Sequence, residues 1–119
     1  MNFRFDGINI NSQNPHEVFE FYKKLGFRVL ETADPESKWY GAALALQEDV
    51  DAPKIWIWNI QEGDAPIVNQ FVFDTGDRLD ELYEQFMQKG ISCKPPHTAE
   101  WGGKELILTD PAGNTLLFL

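Results

Sequence analysis

One pentapeptide limits the fold more than any other stretch: Asp110-Pro111-Ala112-Gly113-Asn114, set between the apolar runs 105–109 and 115–119. Proline holds φ near about −65°, while glycine and asparagine tolerate positive φ, so these residues read as a tight turn joining two antiparallel strands. The strand after the turn, Thr115-Leu116-Leu117-Phe118-Leu119, is so apolar that it reads as buried. A β-sheet is therefore required, and the remaining elements must supply its other strands and its cover.

Upstream, one order of elements occurs twice. Residues 3–10 alternate, which puts Ile8 and Ile10 on one strand face and Gly7 and Asn9 on the other. Asn14 then reads as a helix N-cap, Pro15 as the first helical residue and Glu17 as the third position of a capping box. Val18, Tyr22 and Leu25, widened by Phe19 and Phe21, form an apolar stripe, and Gly26 supplies a left-handed stop. Three strands are expected next: 27–31, a long one over 38–47, and Ile55-Trp56-Ile57-Trp58. Gly41, Ala42, Ala43 and Ala45 leave space along the second of these, and Trp56 and Trp58 must share one face of the third. Beyond a link at 61–66, the pattern predicts a strand over 67–74 and a helix over about 77–89. That helix carries the stripe Leu79, Leu82, Tyr83 and Phe86 and stops at Gly90. A strand from Ile91, a loop over 94–99 containing Pro95-Pro96, and the hairpin complete the second set. The prediction is an α+β fold of two modules, 1–60 and 66–119.

Composition narrows the functional classes. A chain of 119 residues with 43% hydrophobic side chains can bury a core without disulfide or metal support. The N-terminal residues lack the pattern of a secretory signal, no apolar run approaches membrane-spanning length, and Cys93 is the only cysteine. A soluble, cytoplasmic protein is expected. Nineteen acidic against ten basic residues give a formal charge of −9, which repels nucleic acid and anionic membrane surfaces and suits a cationic ligand.

The DPAGN turn before a last strand, together with Phe21-Tyr22-Lys23-Lys24-Leu25-Gly26-Phe27 and the repeated element order, resembles the vicinal oxygen chelate superfamily. That group includes glyoxalase I, extradiol dioxygenases, fosfomycin-modifying enzymes and bleomycin-resistance proteins. Glu100-Trp101-Gly102-Gly103 ahead of the hairpin looks most like the bleomycin-resistance proteins. The resemblance implies two βαβββ modules forming curved mixed sheets around a central cup, a homodimer, and a role such as antibiotic resistance.

Metalloenzymes of the group hold a divalent ion with inward-facing side chains from strands one, four, five and eight, usually His, Gln or Glu. Carried over by position, those sites fall at Gly7, near Ile57 or Trp58, at Gln70 and at Leu117. Only Gln70 offers a donor, so no metal and no cofactor are expected. His16 and His97 lie off the strands in this reading and count as surface residues, Cys93 as a half-buried structural thiol. The loop acids Asp34, Glu36, Glu48, Asp49, Asp51, Glu62 and Asp64 count as solvated. No catalytic residue is assigned.

Aromatic residues stand where the donors are missing. Trp56 and Trp58, with Trp39 on the long strand and Glu100-Trp101 at the rim, would line the cup, and flat rings there can stack on a planar or cationic molecule. Asn9 and Gln70 would orient such a ligand, and Leu117 would contribute an apolar wall. The function expected is that of a metal-independent, bleomycin-resistance-like binding protein that sequesters a small molecule in an acidic, tryptophan-lined cleft. The alternatives are a metal-dependent lyase, isomerase or dioxygenase with displaced ligands, Gln70 and Glu100 being the place to look, and an interaction module whose own tryptophans fill the cup.

Overall fold

The structure is a computed structural model that describes residues 5–38, 40–46 and 52–119. Trp39, Gln47, the start of the first predicted strand and the loop acids Glu48, Asp49 and Asp51 lie outside the described residues. Two compact units divide the chain, Met1–Ile67 and Val68–Leu119.

In the first unit β1 (Gly7–Ser12), α1 (Pro15–Leu25), β2 (Arg28–Thr32), β3 (Gly41–Ala45) and β4 (Lys54–Asn59) follow in order. The sheet order is β1-β4-β3-β2, with β1 parallel to β4 and the other neighbours antiparallel. Helix α1 begins at the expected Asn14-Pro15 pair, although Asn14 makes no side-chain cap to a backbone N–H. Its amide donates instead to the Glu17 carboxylate at 3.0 Å, and its Oδ1 accepts from the Ser12 hydroxyl. At the other end Gly26 takes φ 109°, and the N–H groups of Gly26 and Phe27 return to the carbonyls of Lys23 and Tyr22. Glycine closes the helix there because a Cβ at that φ would be strained.

Val18, Phe19 and Tyr22 of α1 are buried, as are Ile10, Leu44, Ile55 and Ile57. Each such aliphatic side chain, fully buried, is worth about 1.5–3 kcal/mol. One face of the sheet thus lies under the helix, and alternation turns Asn9, Gly41, Ala43, Trp56 and Trp58 to the opposite face.

The second unit repeats the plan with β5 (Gln70–Phe73), α2 (Leu79–Gln88), β6 (His97–Thr98), β7 (Lys104–Thr109) and β8 (Thr115–Phe118). The sheet order is β5-β8-β7-β6, again with the first pair parallel. Phe118 stacks on Phe73 at 5.0 Å between ring centroids and meets Phe86 of α2 edge-on at 5.5 Å. Leu106, Leu108 and Leu116 are buried with them.

Three expectations need correction. The strand predicted from Ile91 does not form: the chain pairs only at His97–Thr98, after Pro95 and Pro96, which have no N–H to give a ladder. The strand predicted over 67–74 shrinks to Gln70–Phe73, the length that its partner Thr115–Phe118 can match. In the Asp110–Asn114 turn only Gly113 takes positive φ, 92°. Asn114 is fully buried and acts through its side chain, whose Oδ1 accepts from the Asn69 N–H at 2.8 Å while its Nδ2 donates to Asp110 Oδ2 at 2.9 Å. Asp110 Oδ1 in turn accepts from the N–H groups of Ala112 and Asn114. The turn is a polar clamp that binds the hairpin to the start of β5.

Candidate functional site

The face of the first sheet turned away from α1 is built on small residues. Ladder register sets Gly41 beside Trp58 and Ala43 beside Trp56, with Asn9 on the other side of Trp56. Because Gly41 has no side chain, the Trp58 ring can rest on its backbone; a Cβ there would lie 2.5 Å from ring carbon Cζ3. Trp58 Nε1 donates to Asn9 Oδ1 at 3.1 Å, fixing the ring at its polar edge. The ring remains 39% exposed.

Beside these indoles lies a hollow of about 190 Å³, open to solvent on one side, lined by Trp56, Trp58, Gly41, Ala42, Ala43, the β2 residues Glu31 and Thr32, and Ala33 just after β2. The small residues of β3 leave space, as expected, and the space is bounded on one side by indole surface. Glu31 was not foreseen in it. An arrangement of this kind can take a flat or rounded apolar group against the rings and offer one carboxylate to any positive charge it carries.

The second unit places its predicted residues more loosely. Gln70 is exposed on β5, opposite Thr115, and Leu117 is half-buried on β8 between Val72 and Ile107. Val72 and Ile107 stay exposed on the side turned from α2. Trp101, 65% exposed, lies over Gly103, where a Cβ would meet the ring at 1.9 Å. Its Nε1 donates at 3.3 Å to Glu105, not to the neighbouring Glu100, which is exposed. Glu105 also faces His97 Nε2 at 3.4 Å, so His97 belongs to an edge strand and has an acidic partner. Burial raises the pKa of the half-buried Cys93 thiol, which favours its unreactive form.

The structure therefore brings Asn9, Trp56 and Trp58 together, and pairs Gln70 and Leu117 with neighbours on one sheet face. Gln70 and the turn carrying Glu100 and Trp101 are not brought together, because β8 and β7 intervene. Sequence reading missed Glu31 and Glu105. For Glu31 the sequence pointed the other way: strict alternation would put it with Val29 on the helix side.

The divalent ion of the related metalloenzymes does not fit these side chains. At Gly7 any Cβ would lie 2.0 Å from the Lys54 carbonyl oxygen, so that position cannot present a ligand. Trp58 offers only an N–H, already given to Asn9, and Leu117 has no donor atom. Among the described residues no three His, Cys, Asp or Glu side chains are grouped to share a metal.

Comparison with known proteins agrees with this architecture. Residues 4–118 match the model of the glyoxalase/bleomycin resistance protein/dioxygenase superfamily, and the chain belongs to that superfamily. No curated protein matches it. Among solved structures, a glyoxalase family protein from Enterococcus faecalis superposes with a TM-score of 0.71 at 22% identity, covering 98% of this chain and 97% of that one. A bleomycin-binding protein complexed with bleomycin gives 0.67 at 22% identity, covering 98% and 97%. A lactoylglutathione lyase from Agrobacterium tumefaciens gives 0.66 at 14% identity, covering 97% and 91%. Neighbours of one fold thus include a binder and an enzyme, and the side chains must decide between them.

Proposed function

We propose that this chain is a metal-independent binding protein that captures a planar or cationic small molecule on the indole-bearing face of its first unit. The observation that carries this is the seating of Trp58 on Gly41, locked by Asn9, next to Trp56 and a hollow of about 190 Å³. An exposed Trp58 ring held in place before any ligand arrives, beside the half-buried Trp56, reduces the ordering cost of binding. The negative charge of the chain and the bleomycin-binding neighbour support the same reading.

In this proposal Asn9, Trp56 and Trp58 form the main wall. Whether Trp39, Gln70, Glu100, Trp101 or Leu117 also touches the ligand is tested by ligand titration of their single variants, and the protein is proposed to work as a homodimer in the cytoplasm, in the manner of antibiotic-resistance proteins that sequester a drug. Light scattering of the purified protein tests the dimer.

Titration with bleomycin and with N-methylquinolinium, read by tryptophan fluorescence, tests the ligand site. Saturable quenching that weakens in Trp56→Leu and Trp58→Leu supports it. Unchanged emission at millimolar concentrations of both compounds counts against it.

A further inference from the structure

The hollow owes its one lining carboxylate to an irregularity in the sheet. Along β2 the register runs Arg28 with Ala45 and Val29 with Leu44, then jumps to Glu31 with Ala43 and Thr32 with Ala42. Leu30 is the extra residue of a β-bulge. In an unbroken ladder Leu30 would pair with Ala43 and Glu31 with Ala42, and Ala42 shares its face with the buried Ile57 beneath α1. The bulge moves Glu31 to the opposite face, level with Ala43 and Trp56, where its side chain lines the hollow.

We propose that Glu31 makes this hollow selective for a cationic head group, and that the bulge at Leu30 is what aims it there. The inference rests on the reading of the hollow as the ligand site and adds the class of ligand. No Lys or Arg lines the space, and among the described residues the exposed Glu31 carboxylate makes no ion pair or hydrogen bond. A carboxylate kept unengaged beside two indole rings is the combination that binds an ammonium group, the rings contacting its alkyl shell and the carboxylate its charge. Burial does not demand the shift, because the position beside Ala42 that Glu31 would otherwise take is filled by Thr32, which is exposed. Lining the indole hollow without an internal partner is a further feature, which selectivity for a cation accounts for.

The test compares choline with 3,3-dimethylbutan-1-ol, which has the same shape with carbon in place of the charged nitrogen. Both are titrated at low salt into the wild-type protein, Glu31→Gln and Glu36→Gln, and read by the indole N–H signals of Trp56 and Trp58 in NMR spectra. Glu36 is an exposed turn residue outside the hollow, so its variant removes the same charge at a distance. The expected result is choline binding about three- to tenfold tighter than the alcohol. That preference disappears in Glu31→Gln and persists in Glu36→Gln. Equal affinity for the two probes, or a preference that survives in Glu31→Gln, overturns the role of Glu31 while leaving a ligand site for neutral molecules. Unmoved Trp56 and Trp58 signals with both probes, and with N-methylquinolinium, overturn the ligand site itself and this inference with it. Backbone NMR spectra of the variants that overlay on the wild type exclude misfolding as the cause.

Discussion

Trp58 rests on Gly41, its ring close enough that no other residue type could occupy that position without displacing it. The pair explains why a strand otherwise rich in alanine carries a glycine at that point: the missing side chain is the seat of the ring. Gly41→Val is expected to lift Trp58 from the sheet, break its 3.1 Å hydrogen bond to Asn9 and weaken ligand binding about tenfold. The overpacking costs about 1–3 kcal/mol of stability, measured by urea unfolding.

The clamp between Asp110 and Asn114 is expected to be the most sensitive polar feature of the second unit. Asn114 is fully buried and Asp110 is 3% exposed, and together they satisfy backbone N–H groups at three residues. Asn114→Ala removes the acceptor for Asn69 and a donor to Asp110, leaving buried groups unpaired, and should cost about 2–4 kcal/mol. Because Asn69 precedes β5, hydrogen exchange should rise first along β5 and β8. A uniform change over both units would show that the clamp does not act locally.

Tyr40 gives the protein an alkaline limit. Its side chain is buried and its hydroxyl has no hydrogen-bond partner of good geometry among the described residues. Burial raises its pKa above the ordinary 10.0, with the Thr32 side chain opposing the shift and the charge of Glu20 adding to it. Above pH 10.0 the unfolded chain loses this proton before the folded one does. The stabilisation is therefore complete below that pH and falls away as pH rises through the folded value. Thermal unfolding from pH 8 to 11 should show this loss, and Tyr40→Phe should reduce it. At neutral pH Tyr40→Phe should change stability by less than about 1 kcal/mol, since no good hydrogen bond is lost.

Local chemistry was legible in the sequence, and long-range pairing much less so. Asn14-Pro15 and Gly26 mark the ends of α1 because capping and positive φ are properties of a few adjacent residues. Alternation correctly put Trp56 and Trp58 on one face, since each strand residue's side follows from its neighbour's. The bulge that re-aims Glu31 depends on how β2 meets β3, which alternation along one strand does not show. The acid that the Trp101 indole N–H meets is Glu105, four residues on, a pairing set by the β6–β7 hairpin rather than by adjacency in the chain. The strand expected from Ile91 does not form, and the chain pairs only at His97–Thr98, beyond the two prolines, because pairing there depends on what β7 offers and not on local apolar character.

The central claim is that the first unit binds its ligand through indole rings, without a metal ion. The most direct measurement is an NMR titration of the Trp56 and Trp58 indole N–H signals with N-methylquinolinium, run first in EDTA and then with added zinc or manganese. The account expects saturable shifts of both signals in EDTA, unaltered in affinity by zinc. Signals that stay still in EDTA and move only once a divalent metal is supplied would contradict it.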